Sequence, residues 1–210
     1  MPAGRLLNDI LSVYTLVAWP HSKHNIKPEE AYPGLNVVRI EMSSKEIEKT
    51  RDDIVAWLTE EGLFKEQLIE ENLHFQIAAE YPAKSGRHLS VIQPKGHEDM
   101  VVVFSRIKLA DQHHQALLSM PPKERERMIW NMRYDLLFRE SSFEMEPGGG
   151  DMRSIRFVRE IYYDALTKNK LMEVIRENFK CELYVVWKFQ EVFGEGQMGK
   201  LSGPPEPMYI

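Results

Sequence analysis

Five side chains able to hold or titrate an anion crowd one short stretch of the chain: Lys84, Arg87 and His88 in one turn, then Lys95 and His97 in the next. Cationic and titratable groups at a sheet end are the chemistry of an anion or small-metabolite site, and Lys84, Arg87 and His88 are the candidates for one. The two turns should lie at opposite ends of the short strand between them, which separates Lys95 and His97 from the first three. Other chemistry finds less support. Adjacent His113 and His114 point about 100° apart on a helix, so they do not share one ion as ligands at i and i+4 do. Cys181, the one cysteine, sits inside a helical pattern, away from the helix N-terminal dipole that lowers a thiol pKa. Gly148-Gly149-Gly150 lacks the lysine of a phosphate-binding loop and reads as a hairpin turn. The paired carboxylates Asp52-Asp53, Glu60-Glu61 and Glu70-Glu71 lie in polar runs, as on a solvated face. No nucleophile elbow is present. Neither catalytic residues nor a metal or cofactor are expected.

The elements that position these residues follow from period and punctuation. Ser43 and Glu46 match a capping box and open a helix that Gly62 ends. Leu63, Phe64, Leu68 and Ile69 then form a linker that packs its apolar members. Leu73–Tyr81 alternates with a period of two, as a half-buried strand does. His88–Gln93 is a second strand. Met100–Leu109 is a third, apolar on both sides and hence central. A short helix covers Asp111–Ser119. A longer one opens at Pro121-Pro122, with Met128, Ile129, Met132 and Leu136 as its inner stripe. Ser142–Glu146 and Met152–Tyr163 read as a hairpin. The last helix runs from its cap at Thr167 to Phe193, and near its end Tyr184, Trp187, Phe189 and Phe193 almost encircle it with apolar surface. A helix apolar all round needs cover on more than one side, so these four are candidates for a partner surface.

The order α-β-β-β-α-α-β-β-α predicts an α+β fold: a mostly antiparallel five-stranded sheet packed with helices. Residues 1–41 read as a loosely structured extension, with Met42 as an alternative start. Residues 42–194 read as one α+β domain, and 195–210 as a flexible Pro/Gly-rich tail.

The segment Trp57–Leu63, the strand Leu73–Tyr81, the run Asp99–Phe104 and the closing strand-then-helix resemble the type III secretion chaperone-like fold and uncharacterised archaeal and bacterial families thought to share it. The resemblance spans about 150 residues. It implies a small, acidic, cytosolic and mostly dimeric protein that binds partner polypeptides without catalysis. It carries over no residue roles.

Composition agrees with that class. The chain has 210 residues, 27 basic against 32 acidic, for a net charge of −5. An acidic balance opposes nucleic-acid binding. One cysteine suits a reducing cytoplasm. Leu6–Trp19, interrupted by Asn8 and Asp9, is too short to span a bilayer. The expected protein is thus a cytoplasmic interaction module, a homodimer that binds a partner polypeptide through an apolar helix surface or sheet edge. The alternative is a small-anion domain or enzyme using the Arg87/His88 loop.

Overall fold

A computed structural model describes residues 43–97 and 99–194. The expectations for residues 1–41, Met42 and 195–210 lie outside the described residues. Helix α1 (Ser44–Glu60) starts where the capping box places it: Ser43 Oγ accepts from the Glu46 N–H at 3.3 Å, and the Ser43 N–H donates to Glu46 Oε2 at 2.9 Å. Its buried residues Ile47, Ile54 and Leu58 recur at seven and four, one face of a helix. Gly62, at φ 68°, turns the chain out of it.

Six strands follow, not five. The additional one is β1 (Phe64–Leu68), and it stands where a linker was expected. Leu63 is buried and Phe64 is half-buried, but Leu68 and Ile69 are exposed. The segment carries no alternating apolar pattern because it is an edge strand, held by backbone pairing with β2 (Leu73–Glu80) in the register Gln67↔Ile77. Charged side chains on Lys65 and Glu66 suit an edge that must not recruit further strands. β3 (His88–Pro94) and β4 (Met100–Lys108) continue the antiparallel meander. Helices α2 (Asp111–Ser119) and α3 (Pro122–Leu137) leave the sheet, and β5 (Ser142–Glu146) and β6 (Ser154–Tyr162) return to it. The sheet order is β1-β2-β3-β4-β6-β5, antiparallel throughout. β6 takes the inner place beside β4, so β5 forms the second edge. Helix α4 (Lys168–Phe193) closes the described chain, capped by Thr167 Oγ1, which accepts from the Lys170 N–H at 3.1 Å.

The four helices of the described residues stack on one side of the sheet. α1 lies over β1 and β2, α4 lies over β4 and β6, and α2 and α3 pack against α4. The core beneath them falls into two clusters. Phe75, Ile77, Val91, Val101, Val103 and Ile161 meet α1 and the first half of α4. Ile155, Phe157 and Met145 meet α3 and the second half of α4. A third cluster lies on the opposite face, made of Ile92, Val102, Phe104 and Val158, of the other parity, and of Leu73, beyond the register shift between Leu73 and Phe75. β4 is therefore apolar on both faces because both faces are buried, as its sequence implies. Beside that third cluster lies an ionic group. Arg156 Nη2 meets Glu146 Oε1 at 2.6 Å and Glu144 Oε2 at 2.5 Å, and Arg106 bonds Ser154 and Glu146.

Candidate interaction surface

The turn between β2 and β3 collects cationic side chains, of which Arg87 turns inward. Glu80, at the end of β2, is buried. It accepts a hydrogen bond from the Gly86 N–H and pairs with Lys65. The Lys65 ammonium, and then the Gly86 N–H, hold its carboxyl below the ordinary range. Lys84 is exposed at the tip of the turn with φ 61°, a left-handed conformation that a non-glycine residue adopts at some cost. Arg87 is half-buried. Its Nη1 lies 3.5 Å from Glu182 Oε2, and its guanidinium lies 5.4 Å from the Phe179 ring centre. Glu182 is buried in α4, and that burial raises its pKa although Arg87 opposes the rise. The cavity bounded by Arg87, Asn178, Phe179 and Glu182 has a volume of about 10 Å3, at the lower limit of what one water needs. His88 begins β3, exposed. Lys95, at the far end of β3, donates to the Glu71 carbonyl at 2.7 Å. The structure thus keeps the two turns apart, and it gives Arg87 an internal carboxylate.

The four candidates on α4 point in different directions. Phe189 is 1% exposed and belongs to the core, where its ring stacks 5.9 Å from His113 and 5.7 Å from the half-buried Phe193. Tyr184 is half-buried and donates its hydroxyl to Asp135 on α3. Burial, and then that carboxylate, push the phenol pKa upward. Trp187 is 62% exposed and is the one of the four that faces outward as free apolar area. The helix is apolar all round because α2, α3 and the sheet each take a side of it.

The two adjacent histidines are both buried. His114 Nε2 lies 2.6 Å from Asp151 Oδ1, a contact that lowers the aspartate pKa, while His113 packs on aromatic rings. Cys181 is buried too, and burial pushes its thiol up to about 12. Among the described residues no group of three His, Cys, Asp or Glu side chains converges as a metal ion would require, and no helix is long and apolar enough to cross a membrane.

Among the described residues, a run of exposed apolar side chains lies on α3 and its C-cap. Trp130, Tyr134, Leu137 and Phe138 are 44, 57, 66 and 86% exposed. They recur at four, three and one, a stripe about 170° round the helix from the buried Met128, Ile129, Met132 and Leu136. Ring centres of Trp130 and Tyr134 stand 5.7 Å apart, and the Arg133 guanidinium sits 4.9 Å over the Trp130 ring. The stripe runs into a cleft of about 340 Å3 lined by Pro122, Arg125, Ile129, Trp130, Arg133 and Gly149-Gly150. Arg125 is fixed there by donating to the Leu118 carbonyl at 3.0 Å. A Cβ on Gly150 would stand 3.1 Å from Arg125 Nε, so the triglycine turn lets the backbone come close to this side chain. Reading α3 for its inner stripe alone passes over the second one, although both spacings are in the sequence. Two apolar stripes on opposite sides of one helix exceed what a single packed face can cover.

An antiparallel sheet with the described helices on one side defines an α+β domain, and one of those helices turns an apolar face outward. Residues 50–189 match the family described as Uncharacterized conserved protein (DUF2299). The chain belongs to that family. It is also similar to a solved structure, an uncharacterized protein from Methanothermobacter thermautotrophicus, at 28% identity and a TM-score of 0.66, over 69% of this chain and 99% of that one. No curated protein matches the chain.

Proposed function

We propose that this protein is a polypeptide-binding module whose docking surface is the outer stripe of α3. The observation that carries the reading is the stripe itself: three aromatic rings and a leucine, Trp130, Tyr134, Phe138 and Leu137, exposed along one side of the helix. Exposed apolar area of this kind, contiguous and rimmed by charge, marks an interaction site, and tryptophan, tyrosine and arginine are the residues that dominate binding energy. Lys123, Arg127 and Arg133 flank the stripe together with the acids Glu124 and Glu126, by their positions on the helix, and leave a small basic excess. The partner it fits is a short polypeptide segment with apolar anchors and acidic flanks, laid along the helix as in groove recognition. The reading keeps what the resemblance of the sequence to the type III secretion chaperone-like fold implies, a non-enzymatic, dimeric protein of the cytoplasm. The competing anion site at Lys84, Arg87 and His88 draws less support, because Glu182 already occupies the Arg87 guanidinium.

The test is a peptide array in which apolar cores carry acidic, neutral or basic flanks, probed with the wild type and with Phe138→Glu. The expected result is selective binding to acid-flanked peptides, lost in the variant at unchanged Tm. Equal binding by both proteins, or no preference for flanking charge, overturns the proposal.

A further inference from the structure

We infer that the cleft at the Trp130 end of the α3 stripe takes the C-terminal carboxylate of the bound polypeptide, with Arg125 and Arg133 as its cationic walls. The inference rests on the α3 reading and deepens it, by fixing which end of the partner docks and in which direction the rest runs. The cleft of about 340 Å3 is near the lower end of the range for small-ligand sites, enough for a chain end. Both arginines are half-buried and held in place. Arg125 Nη1 donates to the Leu118 carbonyl at 3.0 Å, and the Arg133 guanidinium lies 4.9 Å over the Trp130 ring centre. Among the described residues neither forms an ion pair. The acids nearby are already engaged. Asp151, beside the triglycine turn, pairs with His114 and Arg153, and Asp135 accepts from Tyr184. Glu126 is the one acid that lines the cleft, so two arginines against it leave the walls net positive.

An arginine carries several N–H donors in a planar fork, and the two oxygens of a carboxylate fit that fork. Arg125 spends one donor on Leu118, and Arg133 spends none on an acceptor among the described residues. Across from them the wall is backbone, from Gly149 and Gly150. A Cβ at Gly150 would stand 3.1 Å from Arg125 Nε. A side chain there would press on the donor edge of Arg125, and glycine leaves that edge clear. The direction of the partner follows from the stripe. From Trp130 to Phe138 it rises about 12 Å, a length that an extended chain covers with about four residues. On the other side of Trp130, one and two turns earlier, the same line of the helix carries Glu126 and Lys123, so the apolar run ends at the cleft. A partner laid on the stripe therefore puts its apolar residues over Tyr134, Leu137 and Phe138 and brings its end to the arginines. A single carboxylate closing an apolar segment is what a C-terminus supplies without any further residue.

The experiment titrates the full chain with one labelled peptide, a pair of glutamates followed by a short run of leucine and phenylalanine. The peptide is made in three forms: a C-terminal acid, a C-terminal amide, and the acid extended by glycines. Fluorescence anisotropy reads the dissociation constants. The acid should bind about tenfold tighter than either other form, the effect of a charge-assisted contact. In Arg125→Gln and in Arg133→Gln the acid should fall to the affinity of the amide. The amide should keep its wild-type affinity in both variants, the sign that the stripe is intact. Glu126→Gln should tighten the acid form alone. Equal binding of acid and amide by the wild type overturns the inference and leaves the α3 reading standing. Equal binding of the acid and its glycine extension overturns it as well, because the chain end is then not what the cleft reads. So does a preference for the acid that survives both arginine substitutions. If no form binds, the α3 reading fails and takes this inference with it.

Discussion

The β2–β3 turn and the outer side of α3 make opposite use of the same raw material. The turn gathers Lys84, Arg87 and His88 beside Phe179, and α3 gathers Arg125 and Arg133 beside Trp130. Beside the turn, Glu182 takes Arg87 and Glu80 takes Lys65 from β1, while Lys84 stays exposed at the tip. The aromatic ring there is half-buried and the cavity holds about one water. On α3 the aromatic rings remain outside, and Arg125 and Arg133 line a cleft more than thirty times that volume. The difference teaches that cationic density in a sequence does not mark a site. What matters is whether the fold supplies a counter-charge. A cation answered by a buried carboxylate is architecture, and a cation beside open apolar area is left for something else to meet.

Four substitutions test this contrast. Arg87→Ala removes the cation nearest the buried Glu182, and losing one partner of a buried pair costs about 3 kcal/mol. Thermal and urea unfolding should show that loss, with peptide binding at α3 unaffected. If Arg87→Ala instead unfolds no more easily and abolishes binding of an anion, the turn is a site after all. Trp130→Ala should do the reverse. Its expected effect is a loss of about 2 kcal/mol in peptide affinity, roughly thirtyfold, read by titration calorimetry, at unchanged Tm.

Glu182→Gln sharpens the energetics of the turn. Burial raises the folded-state pKa of Glu182 above its ordinary 4.5. Stability linked to this group is therefore full below pH 4.5, and it falls as pH rises through the folded pKa, because the folded state must then bury a charge. Glutamine carries no such loss. The variant should have the higher Tm at neutral pH, with the gap closing toward pH 4. A lower Tm for the variant at pH 7 would mean that the Arg87 pairing outweighs burial. The smallest effect is expected from Gly150→Ala. The new methyl meets Arg125 at 3.1 Å, and a side chain exposed enough to yield by a few tenths of an ångström limits the change to about 0.5 kcal/mol. A shift in peptide affinity without a shift in Tm would place Arg125 in the binding surface.

Much of the architecture was legible in the residues. The α1 cap, the β2 alternation, the doubly apolar β4 and the stripe on α3 each state a local rule that the fold obeys. The antiparallel pairing of β2, β3 and β4 followed from short turns. β1 was not legible, because an edge strand is defined by the backbone it borrows, and Phe64–Leu68 has no pattern of its own. The outward-facing apolar side chains were half legible. Trp187, one of the four candidates on α4, faces outward. Phe189 was named with it and lies in the core, since a count of apolar residues round a helix does not say which neighbours arrive on which side. Trp130, Tyr134, Leu137 and Phe138 had a clear spacing, but Met128, Ile129, Met132 and Leu136 offered a competing stripe that already satisfied the expectation of one buried face. Asn178 and Glu182 could not be read as buried polar groups, since their place under Arg87 and the Val103 carbonyl depends on contacts across the fold.

Cys181 has a practical consequence. A lone thiol at the centre of α4, pushed up to about 12 and sealed from solvent, reacts with an alkylating reagent only while the second half of that helix is away from the sheet. The molecule thus carries a native clock for its own opening. Alkylation rate against reagent concentration, followed by mass, reports how often the α2–α3–α4 layer lifts, and whether a bound peptide holds it down.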